Sequence, residues 1–329
     1  MTNEGMYLIS FDLETTGLNK QKDRFVQLGV TIYECSPLRE EKKESFSLMS
    51  LGGTKWNCRS EVRMHPESIK ITGISQQAVD QETLSAADVL QLFRDFIRQK
   101  CSKENFKRIL VAYNGKDFDL PILIYEAQRL PGGAEAYFRS LVLDALFDVL
   151  LAAREVLDAT KLTRDAKGKC SYALGSVYQC LLQKPLDGAH SALADAEAVM
   201  DVLQCTRDKF GKHLQCLCDQ GTGDLSGICN VMRCVETALA KQAEYSAQKM
   251  TVLDSLKLMG AGMGSGMETG ESTSTMVPVS QIPPQIPLHL PPSQTKRKEQ
   301  GTSSLNKEAK RNDSHEKKTL DVDTLSPPL

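Results

Sequence analysis

The chain has 329 residues, with 40 Lys and Arg against 42 Asp and Glu and 41% hydrophobic side chains. That is enough apolar material for a packed core, in one large domain with a tail or in two modest domains. A formal net charge of −2 argues against binding by bulk positive charge, and the lack of a run of about 18 apolar residues argues against a membrane span.

Met1–Tyr7 lacks the charged-then-apolar pattern of a secretory signal, so the expected location is the cytoplasm or nucleus. Residues 6–11 and 25–33 are rich in β-branched and aromatic types and predict strands. Gly17-Leu18-Asn19-Lys20 is a turn between them. A third strand is expected over 44–49, where Phe46 and Leu48 alternate with polar residues. Residues 85–98 have a helical period that puts Ala86, Val89, Leu90, Phe93 and Ile97 on one face. Residues 108–113 predict a short apolar strand, and 117–130 a helix halted by Pro131-Gly132-Gly133. A further strand is expected at 141–143, then an apolar helix to about Leu157, then helices over 172–182 and 191–207. Strands followed by alternating strands and helices predict an α/β domain over 1–210, with one central mixed sheet flanked by helices.

Residues 211–258 predict a helical extension, with Val231, Val235 and Leu239 in register. The composition then shifts. Residues 260–275 are mostly Gly, Ser, Thr and Met, residues 277–292 are Pro-rich, and 296–318 hold eight basic and four acidic residues without a hydrophobic period. Residues 259–329 are therefore expected to be a disordered C-terminal tail. Lys296-Arg297-Lys298 and Lys310-Arg311 fit a nuclear import signal or a nucleic-acid tether. Pro283-Pro284-Gln285-Ile286-Pro287 fits a ligand for a proline-reading domain. A solvated tail without a partner accounts for both stretches equally well. The ten cysteines read as reduced thiols, several of them, such as Cys180 and Cys205, in apolar helical patterns. Cys216, Cys218, Cys229 and Cys234 match no paired C-x2-C spacing, so helix packing is favoured over a zinc site.

Three clusters carry chemistry. Asp12 and Glu14 lie two apart on a strand, so both carboxylates point to one face. Such a pair beside a buried strand is costly unless a cation or a proton neutralises it. Asp119 lies near the start of the helix after Asn114-Gly115, although Asp117 would favour a helix N-terminus equally well. Asp195 sits in a helix of small alanines, with His190 five residues earlier in the loop before it; Glu197 reads as a solvated residue. Taken singly, each of these residues has an ordinary surface explanation.

Together, in this order, the clusters resemble the three exonuclease motifs of the DEDDh (DnaQ-like) 3′→5′ exonuclease family. The resemblance spans about Leu8 to Leu203. The nearer likeness is to the three-prime repair exonuclease group, through residues 171–178 (SYALGSVY), 110–115 (LVAYNG) and 71–75 (ITGIS). Two departures stand out. Tyr113 replaces the His common before Asn-Gly in that group, and Asp117 stands where those enzymes often place a basic residue.

The resemblance implies a ribonuclease H-like fold and hydrolysis of a terminal phosphodiester with two divalent ions. Oxygen-only ligation favours Mg²⁺, with Mn²⁺ able to substitute. By resemblance Asp12 would bridge both ions, Glu14 and Asp195 would complete one, and Asp119 would act on the second. His190 would be the general base toward the attacking water, a role that suits its near-neutral titration. Thr15, Thr16 and Gly17 would grip the terminal nucleotide through backbone amides, Leu18 and Ile74 would pack on its base, and Asn114 would contact the next phosphate. Lys167, Lys169 and Tyr172 would meet the strand near the third motif. The expected partner is single-stranded DNA or a DNA 3′ end, with short RNA as the alternative, since no motif here reads a 2′-hydroxyl. A homodimer is a further expectation. A binding protein on a retired nuclease fold would lack one of these carboxylates or the His, and all five are present.

Overall fold

Strand β1, Met6–Thr15, carries the alternation on which the fold is built. Its odd residues Tyr7, Ile9, Phe11 and Leu13 enter one apolar core, while Met6 and Leu8 enter a second on the opposite face of the sheet. The even face then changes character along the strand, to Ser10, Asp12 and Glu14. The molecule, a computed structural model, is described here over residues 5–40, 43–164, 168–218 and 227–261. All of these belong to one compact unit. The predicted tail from 262 onward and Lys167 lie outside the described residues.

Strands β2 (Phe25–Glu40) and β3 (Lys43–Asn57) follow β1 as an antiparallel meander. Two short helices, α1 (Pro66–Thr72) and α2 (Gln76–Gln81), precede α3 (Ala86–Lys100). The last is closed by a capping box between Ser85 and Asp88, which satisfies two otherwise orphaned amides. Strand β4 (Lys107–Ala112) lies parallel to β1 and leads to α4 (Asp119–Ala127) and α5 (Gly133–Leu141). Strand β5 (Ala145–Asp148), parallel to β4, feeds α6 (Val149–Val156) and a 3₁₀ turn at Ala159–Lys161. Helices α7 (Leu174–Leu182), α8 (Ala192–Cys205) and α9 (Gly211–Cys218), a two-residue strand β6 (Ile228–Cys229) and α10 (Val231–Ala261) complete the described chain.

The sheet order is β3-β2-β1-β4-β5-β6, with β6 antiparallel to β5. Residues from α3, α4, α5 and α10 build the core on one face of the sheet, and residues from α6, α7, α8 and α9 build the core on the other. This is the mixed sheet flanked by helices that the sequence predicts. The segment after residue 210 is built into the same cores. Phe210, Leu214 and Leu217 enter one of them, and Val231, Val235 and Ala238 the other. No described helix is long and apolar enough to cross a membrane.

Several expected boundaries move. The strand expected at 141–143 is instead the end of α5. Val142 adopts a left-handed φ of 53° as the helix C-cap and is 63% exposed, and pairing with β4 begins only at Ala145. The β-branched, apolar look of Leu141-Val142-Leu143 therefore reflects a cap flanked by core residues. The third strand runs well past 44–49, through Gly52 and Gly53. Helix α7 starts at Leu174, leaving Tyr172 in the approach to it.

Candidate active site

Asp12 and Glu14 share the face of β1 on which α8 is seated, and the sequence explains how closely that helix approaches. Gly29, paired with Asp12 across β1 and β2, has no side chain. A Cβ there would stand 2.2 Å from the Ala192 carbonyl carbon. Gln27, opposite Glu14, accepts the Ala192 amide through its side-chain oxygen at 2.9 Å. Ser10 donates to the Ala196 carbonyl at 2.8 Å, and Lys55 Nζ donates to Ser191 Oγ at 3.0 Å. These contacts satisfy buried polar groups and fix the helix start. They bring Asp195, in the first turn of α8, to Asp12 and Glu14, with one oxygen of each of the three carboxylates within 4.8 Å of the others. Among the described residues this is the only cluster of three or more Asp, Glu, His or Cys arranged to hold an ion. Cys216, Cys229 and Cys234 form no such group.

Asp119 reaches the site from the other side. Helix α4 begins at Asp119, two residues later than the sequence suggests, and Asp119 Oδ1 accepts the Leu13 amide at 3.3 Å. That amide lies between the two β1 carboxylates. Asp117 is exposed, and its carbonyl accepts Lys20 Nζ at 2.6 Å. The two candidates left open at the helix start are thus separated by burial.

The loop that delivers Asp119 is held by a residue the sequence reading missed. Asp148, at the N-cap of α6, is 1% exposed. Its carboxylate accepts the amides of Asn114 and Lys116, both at 3.0 Å, and of Leu150 at 3.1 Å. Asn114 takes a left-handed φ of 62°, and a Cβ on Gly115 would strike Ala112 Cβ at 2.2 Å. A carboxylate immediately after a short apolar strand was the available signal, masked because 144–157 reads as one continuous helix. Tyr113, the departure from His, has a structural use. Its hydroxyl donates to the Tyr172 carbonyl at 2.6 Å and ties this loop to the approach of α7.

The electrostatics follow from burial of like charges. Burial, then the charges of Asp119, Asp195 and Glu14, hold the Asp12 carboxyl well above its ordinary range. Glu14 is pushed up to about 8, by burial first and then by Asp195 and Asp119, against a lowering by Lys55. Burial raises Asp119 to about 7 despite the Leu13 amide. Asp195 is raised by burial and lowered in part by the amide and charge of His190. Four crowded carboxylates, two buried and two half-buried, with little counter-charge beyond Lys55 and His190, are the condition that a hard divalent cation relieves.

His190 sits in the turn before α8, exposed, with a left-handed φ of 66°, and its amide donates to Asp195 Oδ2 at 3.0 Å. The expected nucleotide contacts are placed unevenly. Leu18 is 80% exposed at the tip of the turn after β1. Ile74 is half-buried against Val26, Met64 and Val79. Thr16 corrects the expectation of a free amide. Its N–H donates to the Arg24 carbonyl at 2.8 Å, and its hydroxyl donates to Asp23 at 3.1 Å, so its backbone donor is spent inside the turn. Thr15 is likewise buried, its hydroxyl donating to the Gly17 carbonyl at 2.7 Å. A Cβ on Gly17 would meet Asp23 Oδ2 at 2.5 Å and His65 Cδ2 at 2.6 Å, so a side chain there would displace both of these groups. Asp23, buried under this turn, was not singled out from sequence. Lys169 is exposed, and Tyr172 is half-buried beneath Arg154, whose guanidinium lies 6.0 Å from the ring centre.

The chain is similar to several known exonucleases. The chain is 30% identical over 141 residues to three-prime repair exonuclease 1 of Bos taurus, a match covering 42% of each protein. It is 27% identical over 199 residues to three prime repair exonuclease 2 of Mus musculus, covering 58% of this chain and 80% of the mouse protein. The ribonuclease H-like fold is seen in E. coli exonuclease I, solved with a dT13 oligonucleotide. The TM-score is 0.51 at 17% identity, over 64% of this chain and 43% of that one. The chain thus spans under half the length of the bovine protein and of exonuclease I that it matches. Residues 9–203, which hold all four carboxylates and His190, match the exonuclease (RNase_T) family, and the chain belongs to that family.

Proposed function

We propose that this protein is a 3′→5′ exonuclease that hydrolyses the terminal phosphodiester of DNA at single-stranded or frayed 3′ ends and releases nucleoside 5′-monophosphates. The observation that carries the reading is the convergence of Asp12, Glu14 and Asp195 within 4.8 Å, with Asp119 buried on the intervening Leu13 amide. The donor set is all carboxylate oxygen, which suits Mg²⁺ and admits Mn²⁺. Asp12, Glu14 and Asp195 would hold one ion, and Asp12 with Asp119 a second. When bound, such ions supply an activated water and neutralise charge on the scissile phosphate.

The remaining work falls to the chain. His190, with its backbone fixed to Asp195 and its side chain exposed, takes the proton from the attacking water. Leu18 stacks on the terminal base from the tip of its turn, and Ile74 closes on it. The Gly17 backbone approaches the nucleotide, and Asn114 meets the next phosphate. Lys169 and Tyr172 border the strand beyond it. DNA is favoured over RNA by the likeness to three-prime repair exonucleases. The edge strand β3, fifteen residues long, offers the surface for a homodimer by edge pairing.

The test is digestion of matched DNA and RNA oligonucleotides, labelled at the 3′ terminal nucleotide, with Mg²⁺ present. Release of labelled mononucleotide from DNA, with resistance when the 3′ end is blocked, is expected. Faster release from RNA would overturn the choice of sugar, and internal cuts on the blocked strand would overturn the exonuclease reading.

A further inference from the structure

Cys229 ends β6 and Cys234 lies in the first turn of α10, and their sulfurs stand 3.1 Å apart. Bonded sulfurs lie about 2.05 Å apart, so closure needs an approach of roughly 1 Å. Both residues are half-buried and line a cavity of about 1020 Å³ beside α4 and α10, which Lys116 and Arg233 also border. A small oxidant can enter such a space.

The two thiols differ from Cys58 and Cys101 and from each other. Cys58 and Cys101 are enclosed in the core, where burial pushes their thiols up to about 12 and leaves them protonated. The Cys234 thiol is lowered, first by its contact with the Cys229 sulfur and further by the Lys116 charge, against burial, which raises it. Cys229 is raised by the same contact and by burial. A thiolate formed at Cys234 beside the cavity thus has a second sulfur 3.1 Å away.

We propose that Cys229 and Cys234 form a peroxide-reactive dithiol that closes to an intrachain disulfide. The Cys234 thiolate attacks one oxygen of hydrogen peroxide; an S–O bond forms, the O–O bond breaks and hydroxide leaves. Cys229 sulfur then attacks the resulting sulfenic acid. The S–S bond forms, the S–O bond breaks, and the hydroxyl departs with the Cys229 proton as water. Both thiols are oxidised by two electrons in total, and the peroxide is reduced to water and hydroxide. A dithiol reductant reverses the step by exchange. The bridge would fasten β6 to α10 two residues from Gly227, whose carbonyl accepts the Asp148 amide at 2.7 Å. Asp148 in turn holds the Asn114–Lys116 loop.

Arg233 lies between the two cysteines, so trypsin places them on separate peptides, 213–233 and 234–241, joined only by such a bond. The full chain is reduced, desalted, treated with hydrogen peroxide, alkylated and digested. The linked pair is expected, lighter by two hydrogens than its parts, with fragment spectra locating the bond at Cys229 rather than Cys216 or Cys218. The link should vanish in Cys229→Ser and Cys229→Ala and persist in Cys216→Ser. A link that survives both Cys229 variants, one that forms between two chains, or peroxide-treated protein whose two thiols are each alkylated or separately oxidised overturns the proposal.

Discussion

Asp12 and Glu14 differ in what the sequence says about them and in what their surroundings do. Their two-residue spacing on a strand forces a shared face, and that much was readable from D-x-E. The depth of Glu14, 7% exposed and pushed up to about 8, depends on Gln27 and α8, which no local pattern reveals. Asp12→Asn should lower turnover by at least about 10³, because a carboxylate central to the ion set is lost. At pH 8 and without metal the same change should raise stability, since each unit of relieved repulsion is worth about 1.4 kcal/mol. Loss of activity with loss of fold would contradict this. His190 makes a different prediction. Its link to Asp195 runs through the backbone amide, so His190→Ala keeps that bond and removes only the base. Turnover should fall by about 10² to 10⁴ with Mg²⁺ affinity, read by titration calorimetry, unchanged. His190→Asn, which tolerates a left-handed backbone, should behave alike. Wild-type turnover in either variant would remove His190 from the mechanism.

At the scale of elements, β1 and α8 were legible because their periods are clean, two in the strand and small alanines along the helix. What could not be read was the distance between them. Gly29 inside a strand looks like a weakness, yet it is where the Ala192–Leu193 backbone passes. Gly29→Ala should cost about 1–3 kcal/mol, the usual penalty for overpacking. Activity should fall further than stability explains, since the displaced helix carries Asp195. Denaturant melts and turnover measured together would show it; a Gly29→Ala protein with unchanged melt and rate would mean that α8 shifts freely. The Leu141–Asp148 stretch failed for a related reason. Apolar residues at a helix end and in the following strand merge into one run, and only the left-handed Val142 divides them. Asp148 was lost in that run. Asp148→Ala should release three amides at once and lower turnover through Asn114 and Asp119, with ion binding by Asp12, Glu14 and Asp195 retained.

For the molecule as a whole, the carboxylate cluster makes stability a function of both pH and metal. Glu14 moves from an ordinary 4.5 to about 8 and Asp119 from 3.8 to about 7 on folding. Between those limits the folded chain binds more protons than the unfolded chain, so unfolding free energy falls as pH rises through the window. The cluster is tolerated when protonated and strained when ionised. Divalent ions reverse the sign of the problem, because they bind the ionised set and only in the folded state. Ligand at 100 times its dissociation constant adds about 2.7 kcal/mol. Without metal, the melting temperature should therefore decline from pH 5 to pH 8, and Mg²⁺ should recover it at pH 8 with little effect at pH 5. Other carboxylates also titrate across this range, so the difference between wild type and Asp12→Asn isolates the cluster: the variant should show a shallower decline and a much smaller response to Mg²⁺. Parallel curves for the two proteins, with equal Mg²⁺ response, would mean that these carboxylates neither repel one another as the burial implies nor hold the ion.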